Sequence, residues 1–199
     1  RQFRYIRVFI VHLFRLSRSS HMIEIMYPEI VTLFDDAQTT CLAKGQALFR
    51  NAEPVRFMFI VEEGCVELLR HARSGTRLVL SRVRPGYVLA EASAYAEAYH
   101  CDGVSLARSR VKRVSTTEFQ QKLAANANLQ YVWAKALAHE LQAARMNAEV
   151  RTLRTVAEKV DVWLESNKLL PPKGELQVLA QVLGVTREAL YRELAKRRV

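Results

Sequence analysis

Six residues near the C-terminal end, Thr186, Arg187, Glu188, Tyr191, Arg192 and Lys196, have types and spacings that suit contact with DNA, and Arg187, Glu188 and Arg192 among them suit reading a base-pair edge. On a helix, Glu188 and Arg192 stack at spacing four and Arg187 lies beside them, so one face presents two guanidiniums and a carboxylate. A guanidinium matches O6 and N7 of guanine and a carboxylate accepts from N4 of cytosine, which predicts a half-site containing G·C pairs. The same Glu188–Arg192 spacing also suits a plain surface pair worth a few tenths of a kcal/mol. A second group is Glu91, Ser93, Cys101 and Asp102. Cys101 reads either as a small buried hydrophobe or as a redox or electrophile sensor, and the adjacent Asp102 would raise its thiol pKa, against the sensor reading. Glu91 suits the free amides at a helix N-terminus.

Catalytic and metal-binding patterns are missing. The five histidines, His12, His21, His71, His100 and His139, are scattered, and no HxH, HExxH, GxSxG or Walker glycine loop occurs. A non-enzymatic binding module is expected. Cys41, Cys65 and Cys101 share no CxxC or His-spaced pattern, so neither a disulfide framework nor a zinc site is indicated, and a reducing cytoplasm fits.

The chain that must position these groups has 199 residues, half of them apolar, enough for one large domain or two small ones. Its formal charge is +10, which favours an anionic partner. The excess lies at the ends: residues 1–21 carry five Arg and no acid, and residues 151–199 carry ten bases against six acids. Residues 1–21 read as a basic amphipathic helix suited to an anionic surface, or as a cloning or start-site artefact with Met22 or Met26 as the true start. The apolar run Val8–Phe14 is too short to span a bilayer.

Between 45 and 103, five glycines punctuate short apolar runs. These predict strands at Ala47–Phe49, Phe57–Val61, Cys65–Leu69, Leu78–Val83, Val104–Ala107 and Val111–Ser115, with a hairpin turn at Ser74-Gly75. Residues 117–167 lack Gly and Pro and are rich in helix formers. There Val132, Ala136, His139, Ala143, Met146 and Val150, continuing through Leu153, Ala157, Val160 and Leu164, form one heptad row expected to seat a symmetric dimer. The alternative is the core of a monomeric bundle. A second row, Leu129, Trp133, Leu137 and Leu141, is expected to face the barrel. Pro171-Pro172-Lys173-Gly174 ends the helical region. Beyond it residues 175–197 follow a helix-turn-helix pattern, with Ala180 at the helix crossing, Gly184 in the turn, Val185 and Leu190 plugging the angle and Thr186 as cap. Glu193 stands where such a unit buries an aliphatic residue, with Leu194 available in its place.

A glycine-punctuated barrel, a long helix and a terminal helix-turn-helix together resemble the family of bacterial regulators related to the cyclic-AMP receptor protein and FNR. The resemblance runs over residues 30–199 and rests on the run 57–68, on Pro85-Gly86-Tyr87-Val88-Leu89-Ala90-Glu91, on Phe119 and on the segment around Gly184. It implies an α+β chain with an antiparallel β-roll (a double-stranded β-helix of the cyclic-nucleotide-binding kind), a dimerisation helix and a truncated winged helix. The divisions expected are 1–21, 22–125 for the β-roll, 126–150 for the dimerisation helix and 151–199 for DNA binding. It further implies a homodimer on a pseudo-palindromic double-stranded DNA operator, a small-molecule effector, and Arg187, Glu188 and Arg192 as the base-reading set; RNA polymerase stays open as a partner.

Departures limit that carry-over. Cyclic-nucleotide binders of the family have a Gly-Glu pair, then an Arg with Ser or Thr about ten residues on that neutralises the phosphate. Here the pair is Ala90-Glu91, and Cys101-Asp102 stands in place of the cation and hydroxyl. Losing such contacts, about 1.5–3 kcal/mol per charged hydrogen bond, and adding an acid argue against cyclic AMP. The dispersed cysteines argue against an iron-sulfur cluster. Haem stays open through His100, Cys101 or His71, although His100 and Cys101, adjacent on a strand, would point to opposite faces. The effector pocket is expected at Glu91, Ser93, Cys101 and Asp102, closed by the long helix at Trp133 and Leu137. The chain ends at Val199 without the family's β-hairpin wing, so Lys196, Arg197 and Arg198 are expected to contact phosphate. The competing reading is an effector-binding module acting through protein partners.

Overall fold

The computed structural model describes residues 27–167, 169–171 and 176–197, so the basic segment 1–21 lies outside the described residues. These residues divide into two compact units, the division falling after Leu137.

The first unit opens with a short helix α1, Pro28–Val31, a 3-10 turn and eight strands. These are β1 Gln38–Leu42, β2 Ala47–Phe49, β3 Phe57–Glu63, β4 Val66–His71, β5 Arg77–Val83, β6 Val88–Leu89, β7 Asp102–Ser105 and β8 Ser109–Ser115. They pair antiparallel into two four-stranded sheets, ordered β1-β8-β3-β6 and β2-β7-β4-β5, as a jelly-roll-like β-roll. Six of the strands match the expected segments to within a few residues. β1 was not expected, because Gln38-Thr39-Thr40-Cys41 is polar and largely exposed on an edge strand, leaving only Leu42 as an apolar marker.

The run Phe-Met-Phe-Ile-Val of β3 is buried on both faces, and its alternation serves two cores. Phe59 and Val61 join the interior of the roll with Leu42, Phe49, Leu68, Leu89, Tyr99 and Cys101. Met58 and Ile60 face outward, onto Phe34, Phe119 and Trp133. Glu67, fully buried on β4, is held by Arg77 and Arg82 of β5, with Arg82 Nε at 2.9 Å.

Helical structure begins with α2, Thr116–Ala124, capped by Ser115, whose Oγ accepts the Glu118 amide at 3.1 Å. Asn126 then caps α3, Ala127–Thr152, its Oδ1 accepting the amides of Asn128 and Leu129 at 3.0 and 3.2 Å. The expected heptad row is broken here. α3 stops at Thr152 and α4, Val156–Asn167, starts afresh behind a capping box: Thr155 N–H donates to Glu158 Oε2 at 2.9 Å, and Glu158 N–H to Thr155 Oγ1 at 3.1 Å. That box, Thr-x-x-Glu, is readable in the sequence, and it overrides the apolar periodicity running through it.

Burial also corrects the row. Val132 and Ala136 are buried within the first unit, and Val150 and Met146 pack in the core of the second, so these four face their own chain. His139 and Ala143, in the second unit, are half-buried. Leu129, Trp133 and Leu137 do pack toward the sheet, as expected, whereas Leu141 is exposed.

The second unit adds α5, Leu176–Leu183, and α6, Arg187–Lys196, to the end of α3 and to α4. Its core is Val150, Val160, Trp163, Leu176, Leu179, Leu183, Leu190 and Leu194. Gly184 takes the left-handed φ of +63° that turns the chain between α5 and α6, and Val185 N–H bonds back to Ala180 O at 2.9 Å. Among the described residues no helix is long and apolar enough to cross a membrane.

Candidate effector site and nucleic-acid interface

At the end of β6 the chain enters a 3-10 turn, Glu91–Ser93, through Ala90 at φ 55°, a left-handed conformation that glycine takes without strain and alanine does not. Ser93 is buried, with its Oγ 3.3 Å from His100 Nδ1. Burial pushes the Glu91 carboxyl up, opposed by hydrogen bonds from its own amide and that of Ala92. Cys101 is fully buried in the roll interior, and burial, with the charges of Glu91 and Asp102, raises its thiol to about 11. Such a thiol is protonated at neutral pH. His100, next to it, is exposed, so the two point to opposite sides.

Asp102 Oδ1 accepts the Asn51 amide at 2.7 Å, and Oδ2 lies 3.6 Å from His71 Nδ1 and 4.0 Å from Arg50 Nη1. These partners, His71, Asn51 and Arg50, are more than thirty residues from Asp102 along the chain and left no local signal in the sequence. Among the described residues no group of three His, Cys, Asp or Glu could hold a metal ion.

The expected pocket is not one cavity. Trp133 and Leu137 belong to the cluster on the outer face of β3, where Trp133 meets Phe119 edge-on at 5.2 Å, while Cys101 lies in the inner cluster. The β3 strand separates them, because its odd and even positions face opposite cores. The interior itself is filled by rings: Phe49 stacks on Tyr99 at 4.1 Å and on Phe59 at 5.7 Å between centroids. Gly103 makes room for this stack, since a Cβ there would lie 2.7 Å from the Phe49 ring.

In the second unit Thr186 caps α6, its Oγ1 accepting the Ala189 amide at 3.2 Å. Arg187, Glu188, Tyr191, Arg192 and Lys196 are exposed on α6 while Leu190 and Leu194 are buried beneath them. The Arg187 guanidinium lies 5.2 Å from the Tyr191 ring centroid. Glu193 is half-buried and Leu194 supplies the core contact, as the sequence allowed. Arg197 overturns an expectation. It is not left for phosphate, because it donates to Asp161 Oδ1 at 2.6 Å, Glu193 Oε1 at 2.8 Å and Ala157 O at 2.9 Å, clasping α6 to α4. Arg198 lies outside the described residues.

Comparison with known proteins bears on the first unit directly. Residues 39–126 match the family model described as the cyclic nucleotide-binding domain. This segment is similar to cyclic nucleotide-binding domains. Among solved structures, FixK2 from Bradyrhizobium japonicum matches at TM-score 0.64 and 18% identity, covering 80% of this chain and 83% of that one. The c-di-GMP responsive global regulator CLP of Xanthomonas campestris matches at 0.63 and 17%, covering 86% and 92%. The catabolite activator protein of Thermus thermophilus matches at 0.54 and 20%, covering 87% and 84%. The fold is therefore that of regulators of the Crp/Fnr kind. No curated protein matches the chain. In this β-roll the buried Cys101 thiol is protonated with the Asp102 carboxylate next to it in sequence, and ring side chains occupy the interior.

Proposed function

We propose that the chain is a homodimeric DNA-binding transcriptional regulator whose β-roll senses a small effector other than cyclic AMP, without catalysis. The observation that carries the reading is α6 itself: a capped helix whose buried Leu190 and Leu194 leave Arg187, Glu188 and Arg192 exposed in its first two turns. That is the arrangement in which a recognition helix presents its N-terminal half to a major groove. The net charge of +10 supports an anionic partner.

Dimerisation is assigned to α3 in a register shifted from the broken row. Tyr131, Ala134, Ala138, Leu141 and Ala148 are all exposed and follow heptad spacing, with Tyr131 68% and Leu141 52% accessible. The occupant of this stripe is a second copy of the same helix.

The test is a gel shift with selected duplexes at rising salt. Wild-type binding should weaken as salt rises. Arg187→Ala should cost about 1–3 kcal/mol and relax base preference, whereas Lys196→Ala should weaken all sequences alike. Retention of the wild-type preference by Arg187→Ala and Arg192→Ala together would remove α6 as the reader. Salt-insensitive or absent binding would favour action through protein partners.

A further inference from the structure

The β-roll carries a cavity of about 320 Å3 that none of Glu91, Ser93, Cys101 or Asp102 lines. It lies against β1 and β2, the strands at one edge of each sheet. Phe49, Phe57, Phe59 and Tyr99 line it together with Arg56 and Arg113, and Thr40, Gln46 and Glu53 add polar wall. The Tyr99 hydroxyl is already engaged, donating to Phe57 O at 2.6 Å.

The two cations are unusual in their partners. Arg113 lies over the Phe57 ring at 4.9 Å, donates through Nη2 to the neutral Gln38 Oε1 at 3.1 Å, and keeps its buried Nε without an acceptor. Among the described residues neither Arg113 nor Arg56 has a carboxylate within ion-pair distance. Glu53, the acid in the wall, already accepts the Arg50 amide at 3.0 Å. A ring-lined cleft with two uncompensated guanidiniums and one acid favours a flat ligand with a single negative substituent, its ring on the aromatics and its anion on the guanidiniums.

We infer that this edge cavity binds a small aromatic carboxylate, and that it, rather than the ring-filled interior beside Cys101, is the effector site. The term effector rests on the regulator reading; the binding does not.

The probe is 2-naphthoate, titrated calorimetrically into the full chain, with 2-naphthamide and cyclic AMP as comparisons. Naphthoate should bind at sub-millimolar concentration, at least tenfold more tightly than either comparison. Arg113→Gln should weaken it tenfold or more. Arg56→Gln, at an exposed side chain with no hydrogen bond or ion pair to lose, should weaken it several-fold without changing the melting temperature, whereas Arg73→Gln on the β4–β5 turn, the same loss of charge elsewhere, should not weaken it. Absence of naphthoate binding, equal binding of the amide, tighter binding of cyclic AMP, or insensitivity to both Arg56→Gln and Arg113→Gln would each overturn the assignment. Naphthoate binding by a chain that shifts no DNA would overturn the regulator reading and leave this site standing.

Discussion

Two alanines in the left-handed region give opposite expectations at the scale of single residues. Ala52, at φ 68°, is exposed, and its amide bond to Tyr99 O at 2.8 Å survives any side chain but proline. Relief of about 1 kcal/mol of strain should therefore make Ala52→Gly measurably more stable in urea. Ala90, at φ 55°, is buried in the roll interior, so the strain that glycine relieves there is offset by about 0.8 kcal/mol of lost methyl burial. Ala90→Gly should stay close to neutral in the same melts. Gly103→Ala should lose about 1–3 kcal/mol, since its Cβ would lie 2.7 Å from the Phe49 ring and the stack must shift to admit it.

The buried thiol and phenol set the alkaline behaviour. Cys101 titrates near 11 in the folded chain against an ordinary 9.0, and Tyr99 near 12 against 10.0. Both folded-state values are raised, so above pH 9 the unfolded chain loses protons that the folded chain keeps. Stability is full below pH 9 and falls as pH rises through 9 to 12, which denaturant midpoints across that range will read. A thiol reagent at neutral pH should label exposed Cys41 promptly and Cys101 only on unfolding; prompt labelling of Cys101 would reopen the sensor reading.

At the scale of elements, the sequence marks helix starts better than helix partners. Ser115, Asn126, Thr155 and Thr186 all cap as their types suggest, because a cap is made within three residues. The heptad row failed for the complementary reason. Spacing shows that residues share a helical face, but which side that face meets depends on what the rest of the chain brings against it. Arg197 illustrates the same point: three basic residues in a row read as a phosphate patch, yet one of them is bound to Asp161, thirty-six residues earlier. We expect Arg197→Ala to lower the melting temperature while leaving the salt slope of DNA binding unchanged, and Lys196→Ala to flatten that slope by about one.

For the whole molecule, the oligomeric state separates the two possible seams. Leu141→Glu should yield monomers in light scattering, because Leu141 is exposed on the free stripe of α3. Ala143→Glu, on the face shared with inward-turned Met146 and Val150, should leave the dimer intact. The reverse result would restore the original register.

Turn glycines, strand-length apolar runs, the Thr186 cap and the exposed Arg187, Glu188 and Arg192 of α6 were legible in the residues. Each depends on neighbours within a turn or a strand, where spacing and side-chain type act directly. Only the tertiary structure decided that Trp133 and Cys101 face different cores, that rings fill the roll interior, and that Arg56 and Arg113 line a cavity without acid partners. Those facts come from strands paired across large separations, such as Gln38 with Arg113. Register between distant strands is set by the packing of the whole roll, which no local pattern encodes.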